Sequence, residues 1–357
     1  MAKICVISPS LQMGGIERQL SLLSDYFVSK GHEVYFLACR AGKHFFNLND
    51  KVTFREPNFI HSGKTISKFW NYHKTIKFLR RNLKEIKPDT ILVFGDIINP
   101  IAILANRGLS FPIYIADQIS PKQNLGRFKN IMKQITYKQA TGIIAQSKMA
   151  ADYKHEVFGN DINLRIIPNS IREVVSYPNL EKQPWIIGVG RLSFEKGFDR
   201  LIEVFSKIKN HEEWRLVLAG DGPMRKQLES LALELGIADR VDFLGARNDV
   251  DELLAKSSIF VIPSRYEGFP NALCEAMASP LPCIAFDSIA AEDLINNQEN
   301  GVIVQDGNIE DMAHKLEDLM DNPQLRIKYA NNAYFVRQRL NKEKIGDAFL
   351  DFILSYN

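Results

Sequence analysis

Along most of this chain, short apolar runs alternate with longer stretches in which apolar residues recur every three or four positions. Apolar runs of four to six residues between turn signals read as buried strands, and the longer stretches as amphipathic helices. In the first half the predicted strands are Lys3–Ser8, Glu33–Ala38, Thr90–Phe94, Ile113–Ala116, Gly142–Ala145 and Leu164–Ile167. Helices are predicted at about Gly15–Lys30, Ser67–Ile86, Ile98–Arg107 and Phe128–Ala140. In the second half, strands at Trp185–Val189, Arg215–Ala219, Val241–Leu244, Ile259–Ile262 and Cys283–Phe286 again alternate with helices, one of them Met224–Leu235. This alternation predicts parallel sheets wrapped by helices. A chain of 357 residues outgrows a single core, so two such domains are expected. Residues 171–184, with Pro178 and Pro184 and no clear period, make the predicted linker. The last forty or so residues pattern as helix without strand. Ligands of such sheets bind beyond the carboxyl ends of the strands, so two facing domains would line one cleft.

One strand-to-helix junction is rich in chemistry. The segment Pro263-Ser264-Arg265-Tyr266-Glu267-Gly268-Phe269-Pro270-Asn271-Ala272-Leu273-Cys274-Glu275 leaves the strand Ile259–Ile262 and enters a helix near Pro270 and Asn271. Proline suits a first helical turn, whose free amides and dipole attract phosphate. Glu267 and Glu275 flank that turn, eight positions apart. Carboxylates would repel a phosphate, so they are read as partners for hydroxyls; phosphate plus hydroxyls points to a sugar nucleotide. Arg191 and Lys196 follow the strand Trp185–Val189 and suit a diphosphate, one as a fork and one as a point charge. Surface charge capping a helix is the plainer alternative. Gly14-Gly15 either lets amides approach a phosphate or makes a tight turn. Asp221 is equally suited to capping the helix Met224–Leu235 and to touching ligand.

The Glu-x7-Glu spacing resembles the signature of retaining glycosyltransferases of GT-B fold, specifically glycosyltransferase family 4. Further motifs follow in the family's order: Gly14-Gly15, Ile167-Pro168-Asn169, Gly188-Val189-Gly190-Arg191-Leu192-Ser193-Phe194-Glu195-Lys196-Gly197 and Ala219-Gly220-Asp221-Gly222-Pro223. The resemblance covers most of the chain. It implies an α/β GT-B architecture of two Rossmann-like parallel-sheet domains facing a cleft. Residues 1–170 would bind acceptor, 171–184 link, and 185–334 bind the nucleotide sugar. A C-terminal helix, about 335–357, would cross back to the first domain, and Phe335–Tyr356 is long enough to do so.

The same resemblance implies roles for residues. Arg191 and Lys196 would hold the donor diphosphate and stabilise it as leaving group. Glu275 would take the ribose hydroxyls, and Glu267 would lie near the donor sugar. Gly14 and Gly15 would approach the β-phosphate, while Gly268 and the stretch Phe269, Pro270, Asn271 and Ala272 would meet phosphates and sugar hydroxyls. Gly190, Gly220, Gly245 and Arg247 would line the donor, with the nucleobase beside Gly245-Ala246-Arg247. Ser147 and Asn169 match positions lining the cleft, or are turn residues. Asp117 matches an acid near donor sugar and acceptor; many relatives follow it with His or Arg, whereas Gln118 cannot titrate. The implied activity is transfer of a hexose or N-acetylhexosamine from a UDP-sugar to a saccharide or polyprenyl-linked glycan, with retention. No metal and no cofactor are implied; the UDP-sugar is a co-substrate. A GT-B phosphorylase, a nucleotide-sugar epimerase and an inactive partner subunit are the alternatives. A Rossmann dehydrogenase is disfavoured because the first loop lacks Gly-x-Gly-x-x-Gly.

Charge adds a partner. Residues 1–170 carry 24 basic and 12 acidic side chains, and residues 171–357 carry 21 and 30, so a half at +12 is joined to one at −9. Lys64, Lys68, Lys74, Lys77, Arg80, Arg81, Lys84 and Lys87 interleave with Phe69, Trp70, Tyr72, Ile76, Phe78 and Leu79. Lys122, Arg127, Lys129, Lys133 and Lys138 follow, with no acid among residues 122–138. These runs are either solvated helix faces or a surface for an anionic membrane, worth roughly 1 kcal/mol per nearby cation. No nucleic-acid motif accompanies them. Ile4–Ile7 is too short for a signal peptide, and no run approaches the ~20 apolar residues of a membrane span. A cytoplasmic protein, peripheral on the inner face of the membrane, is expected. Cys5, Cys39, Cys274 and Cys283 lack metal-like spacing and are expected as buried thiols.

Overall fold

The computed structural model describes residues 1–12, 14–59, 65–118, 120, 126–177, 179–209 and 211–355, the side chains of residues 65–69 and 289 excepted. The chain divides into two compact units, Met1–Ser170 with Lys342–Asn357, and Ile171–Asn341.

The first unit is built on β1 (Lys3–Ser8), β2 (Glu33–Ala38), β3 (Thr53–Arg55), β4 (Thr90–Phe94), β5 (Ile113–Ala116), β6 (Gly142–Ala145) and β7 (Leu164–Ile166). They form one sheet of order β3-β2-β1-β4-β5-β6-β7, parallel throughout. Its central strands are buried along nearly their whole length. Helices cover both faces of such a sheet, which is why these strands read as continuous apolar runs. Chain order reverses between β1 and β4, and the loops after those strands open at the carboxyl edge where such sheets bind ligands.

The second unit carries β8 (Trp185–Val189), β9 (Arg215–Ala219), β10 (Val241–Gly245), β11 (Ile259–Ile262), β12 (Cys283–Phe286) and β13 (Val302–Val304). Their order is β10-β9-β8-β11-β12-β13, again parallel. The reversal lies between β8 and β11. The edge strands β3 and β13, of three residues each, were not predicted, whereas the equally short edge strand β7 was. All four cysteines are buried and none forms a disulfide.

Two expectations need correction. Residues 171–184 contain no helix or strand among the described residues, yet they are not a free linker. They belong to the second unit: Val174 is buried, Gln183 N donates to Lys256 O at 2.7 Å, and Ile171 N donates to Leu340 O at 3.0 Å. The terminal helix is not continuous from Phe335. Helices Val336–Arg339 and Lys342–Ile353 are separated at Leu340 and Asn341, where the chain passes from one unit to the other. Tyr356 lies outside the described residues.

Helix Lys342–Ile353 completes the first unit. Phe349 and Phe352 are buried, Phe349 with its ring 5.8 Å from Phe94 and Phe352 edge-on to Tyr114 at 5.1 Å. Tyr26 donates its hydroxyl to Asp347 at 2.6 Å. Truncating a buried phenylalanine removes transfer energy and leaves a cavity, so Phe349→Ala is expected to cost about 3–5 kcal/mol, read as a lowered urea midpoint for the first unit.

Candidate active site

In the second unit the loops after β8 and β11 meet at the point of strand reversal. Lys196 ends a 3-10 turn, Phe194–Lys196, in the first loop, and Glu267 sits in the second. Lys196 Nζ lies 2.6 Å from Glu267 Oε1, which also accepts from Ser264 Oγ at 2.8 Å. Ser264 is itself held, its carbonyl accepting from Ser288 Oγ at 2.9 Å. The pair is mostly shielded, with 25% and 9% of the side chains exposed. Arg191 is exposed at the mouth of the same loop, with no ion pair among the described residues.

Arg265, which sequence reasoning passed over, fastens the two loops together. Its amide donates to Glu195 O at 2.9 Å. Its guanidinium donates to Phe194 O at 2.9 Å, lies 4.2 Å over the Phe194 ring, and forks onto Asp199 at 2.8 and 2.5 Å. Burial pushes the Asp199 carboxyl up, but Arg265 outweighs it and holds the group below its usual range.

The neighbouring glycines form a backbone crossing. Gly190 N donates to Ala219 O at 3.0 Å and Gly220 N to Gly245 O at 2.8 Å. A Cβ on Gly220, whose φ is +153°, would fall 1.8 Å from Gly190 O. Glycine is therefore required here by packing, whatever binds above. Asp221 does not cap the following helix, which is Arg225–Glu234 with Met224 at its cap; it accepts instead from Gly222 N at 2.8 Å. Arg247 is committed to Asp249, with bonds of 2.8 and 2.5 Å on an exposed surface.

Pro270 caps the helix Asn271–Ala278 and offers no side-chain acceptor. The amide of Asn271, expected to face phosphate, donates to Phe269 O at 2.9 Å; Pro270 has none to offer. Ala272 and Leu273 thus carry the open amides of that turn. Phe269 is buried beneath it, and Gly268 joins it to Glu267. Glu275, on the second turn, is buried and meets Arg172, a residue the sequence did not single out: Nε lies 3.3 Å from Oε1 and Nη2 3.4 Å from Oε2.

A cation beside a carboxylate, at a strand reversal with uncapped helix amides nearby, is an arrangement for a phosphorylated, hydroxylated ligand. Two family models meet end to end on this chain, Glycosyltransferase Family 4 over residues 13–173 and Glycosyl transferases group 1 over residues 171–335. The chain belongs to the group 1 glycosyltransferases of GT-B fold. An uncharacterised glycosyltransferase of Haemophilus influenzae is 29% identical over 93% of this chain and 94% of its own. From Campylobacter jejuni, the "GalNAc-alpha-(1->4)-GalNAc-alpha-(1->3)-diNAcBac-PP-undecaprenol alpha-1,4-N-acetyl-D-galactosaminyltransferase" is 27% identical over 93% of each chain. The crystal structure of HepE from Anabaena in complex with UDP shares the fold at a TM-score of 0.81 and 17% identity, covering 99% of this chain and 100% of that one.

The first unit of this glycosyltransferase holds the other predicted residues. Gly14 precedes the helix Gly15–Ser29, but the buried Glu17 carboxylate folds back over it. A Cβ on Gly14 would lie 2.2 Å from Glu17 Oε2, and Oε1 accepts from Ser10 Oγ at 2.8 Å. An acid thus stands where a phosphate was expected to approach. Ser147 is a helix cap, accepting from Ala150 N at 3.1 Å. Asn169 is buried and bonded to Gln146, which also donates to Gln118 at 2.8 Å.

Asp117 corrects a catalytic expectation. It is buried, one oxygen facing Asn99 Nδ2 and the Tyr137 hydroxyl, the other Lys133 Nζ at 2.9 Å and Lys154 Nζ at 3.4 Å. Burial pushes its carboxyl up, but Lys154, Lys133 and Tyr137 together hold it below the usual range. Both oxygens are occupied, so it serves this unit as a fixed charge rather than a proton acceptor. Lys133, counted in the sequence among surface cations, also bonds Asp96 at 2.8 Å.

Asp96 behaves oppositely. Burial and then Asp117 push its carboxyl up to about 6 against the pull of Lys133. Its folded value lies above the unfolded 3.8, so the stability it contributes is full below that unfolded value and is lost as pH rises through about 6. Relative to Asp96→Asn, the wild type is expected to lose stability between about pH 4 and pH 6, measured by urea denaturation at stepped pH.

Proposed function

We propose that this glycosyltransferase moves a hexose or N-acetylhexosamine from a UDP-sugar to a saccharide or polyprenyl-linked glycan, in assembly of lipopolysaccharide or another bacterial surface polysaccharide. Transfer proceeds with retention and without a metal. The Lys196–Glu267 pair at the strand reversal carries this reading. A diphosphate entering beside it meets Lys196, the exposed Arg191 and the amides of Ala272 and Leu273. Those donors act most strongly on the charge that grows as the diphosphate departs, which lowers the barrier rather than merely tightening substrate binding. Glu267 then faces the sugar that loses this leaving group, and Glu275 the ribose. In front-face displacement the bond from C1 to the diphosphate oxygen breaks, and the bond from C1 to the acceptor oxygen forms on the same face. The acceptor's proton passes to the departing diphosphate. The Campylobacter relative's lipid-linked acceptor and the UDP bound to HepE support the choice of substrates.

The test is UDP release across a panel of sugar nucleotides with polyprenyl-diphosphate-linked acceptors. Expected are turnover that survives EDTA, a product anomer matching the donor by NMR, and a loss of kcat of about 10²-fold or more in Lys196→Ala. An inverted anomer would overturn retention.

The reading extends to an anionic membrane surface. Most interleaved apolar residues of the helix Thr65–Ile86 turn inward, Phe78 and Leu79 being buried. Trp70 is 63% exposed, and the helix Arg127–Thr136 presents Phe128, Ile131 and Ile135, each more than half exposed, among cations. Lys64 and Lys122 lie outside the described residues, as do the side chains of Lys68 and Phe69. No helix among the described residues is long and apolar enough to cross a membrane. Exposed apolar groups amid lysines suit the headgroup boundary. Flotation with liposomes is expected to rise with anionic lipid content and to fall in an Ile131→Ser, Ile135→Ser variant; binding indifferent to lipid charge would count against it.

A further inference from the structure

Arg172 uses both edges of its guanidinium. The outer edge forks onto Asp251, with Nη1 at 2.8 Å from Oδ2 and Nη2 on Oδ1. The inner edge, Nε and Nη2, faces the two oxygens of Glu275 at 3.3 and 3.4 Å. Asp251 is fixed in turn, accepting from Val175 N at 2.9 Å. The Asp251 bond, with Glu275, raises the Arg172 guanidinium above its usual value and outweighs the opposing effect of burial. All three side chains are largely shielded, at 28%, 10% and 11% exposure for Arg172, Asp251 and Glu275.

We infer that Arg172, anchored by Asp251, is a positioning residue that holds the Glu275 carboxylate in the orientation that accepts both ribose hydroxyls of the donor. The inference rests on the donor-site reading of Glu275 given above. A buried carboxylate without a counter-ion is costly and free to rotate toward any donor. A fork fixed on its far edge offers Glu275 one plane and one rotamer. The Glu275 contacts are longer than a tight charge-assisted bond of about 2.7–2.9 Å.

The test is calorimetric binding of UDP and of 3′-deoxy-UDP. Wild type is expected to prefer UDP by about tenfold or more, as for hydrogen bonds to a charged acceptor. Arg172→Ala is expected to lose that preference while keeping its affinity for the deoxy analogue; Arg172→Lys, with charge but no fork, recovers part of it. Arg172→Lys also serves if the alanine variant does not fold. Retained preference in both Arg172 variants, with its loss in Glu275→Gln, overturns the positioning role alone. Tighter UDP binding by Arg172→Ala would mean that the arginine competes for the carboxylate, and also overturns it. Equal binding of the two nucleotides by wild type overturns the ribose assignment of Glu275 itself, and the positioning role with it.

Discussion

The candidate site of the second unit depends on holding two loops against each other at the carboxyl edge of its sheet. Parallel strands joined by right-handed crossovers must reverse order once if helices are to cover both faces. That reversal falls between β8 and β11, so the two loops become neighbours although some seventy residues separate them. Backbone geometry alone would leave them loosely paired. Arg265 makes the contact specific, because one planar fork reaches a carbonyl and a ring of the opposite loop and the Asp199 carboxylate in the helix that follows it. With that fork in place the short Lys196–Glu267 contact follows.

The first unit meets a different constraint. Asp96, Asp117, Lys133 and Lys154 bring two charges of each sign beneath its carboxyl edge. Such groups survive burial only when each is paired and hydrogen-bonded. Here Tyr137 and Asn99 share the same carboxylate. Lys133 is thereby the polar anchor of the helix Arg127–Thr136, whose apolar residues Phe128, Ile131 and Ile135 face solvent.

Much of this was legible in the sequence, for reasons that also explain what was not. The central strands are buried on both faces and so announce themselves as apolar runs; the edge strands β3 and β13 do not, since Thr53 and Arg55 flank a single phenylalanine in one and the other offers only three apolar residues. The ordered motifs marked the family, and the loops holding Arg191, Lys196 and Glu267 could be placed from the strands that precede them. Partners distant in sequence could not be placed. Arg172 lies 79 residues from Asp251 and 103 from Glu275, and nothing local marks it. Asp117 was visible as an acid, but its lack of a free oxygen depends on Lys133, Tyr137 and Lys154, which come together only in the fold. Asp221 shows the limit of local reasoning as well: a cap was plausible from spacing, yet the amide of Gly222 was nearer. The break at Leu340 and Asn341 interrupts a pattern that is helical on both sides, so periodicity passes over it.

The return of the chain to the first unit has a consequence for how the protein is made. Phe94 and Tyr114, on β4 and β5, take Phe349 and Phe352 as packing partners from the last helix. A chain emerging from the ribosome in sequence order exposes that face of the first sheet while the whole second unit is synthesised. The second unit has no such debt to its successor residues, since its chain is continuous from Ile171 to Asn341. The domain translated first is therefore the one finished last, and its incomplete face is the surface that synthesis must keep from aggregating.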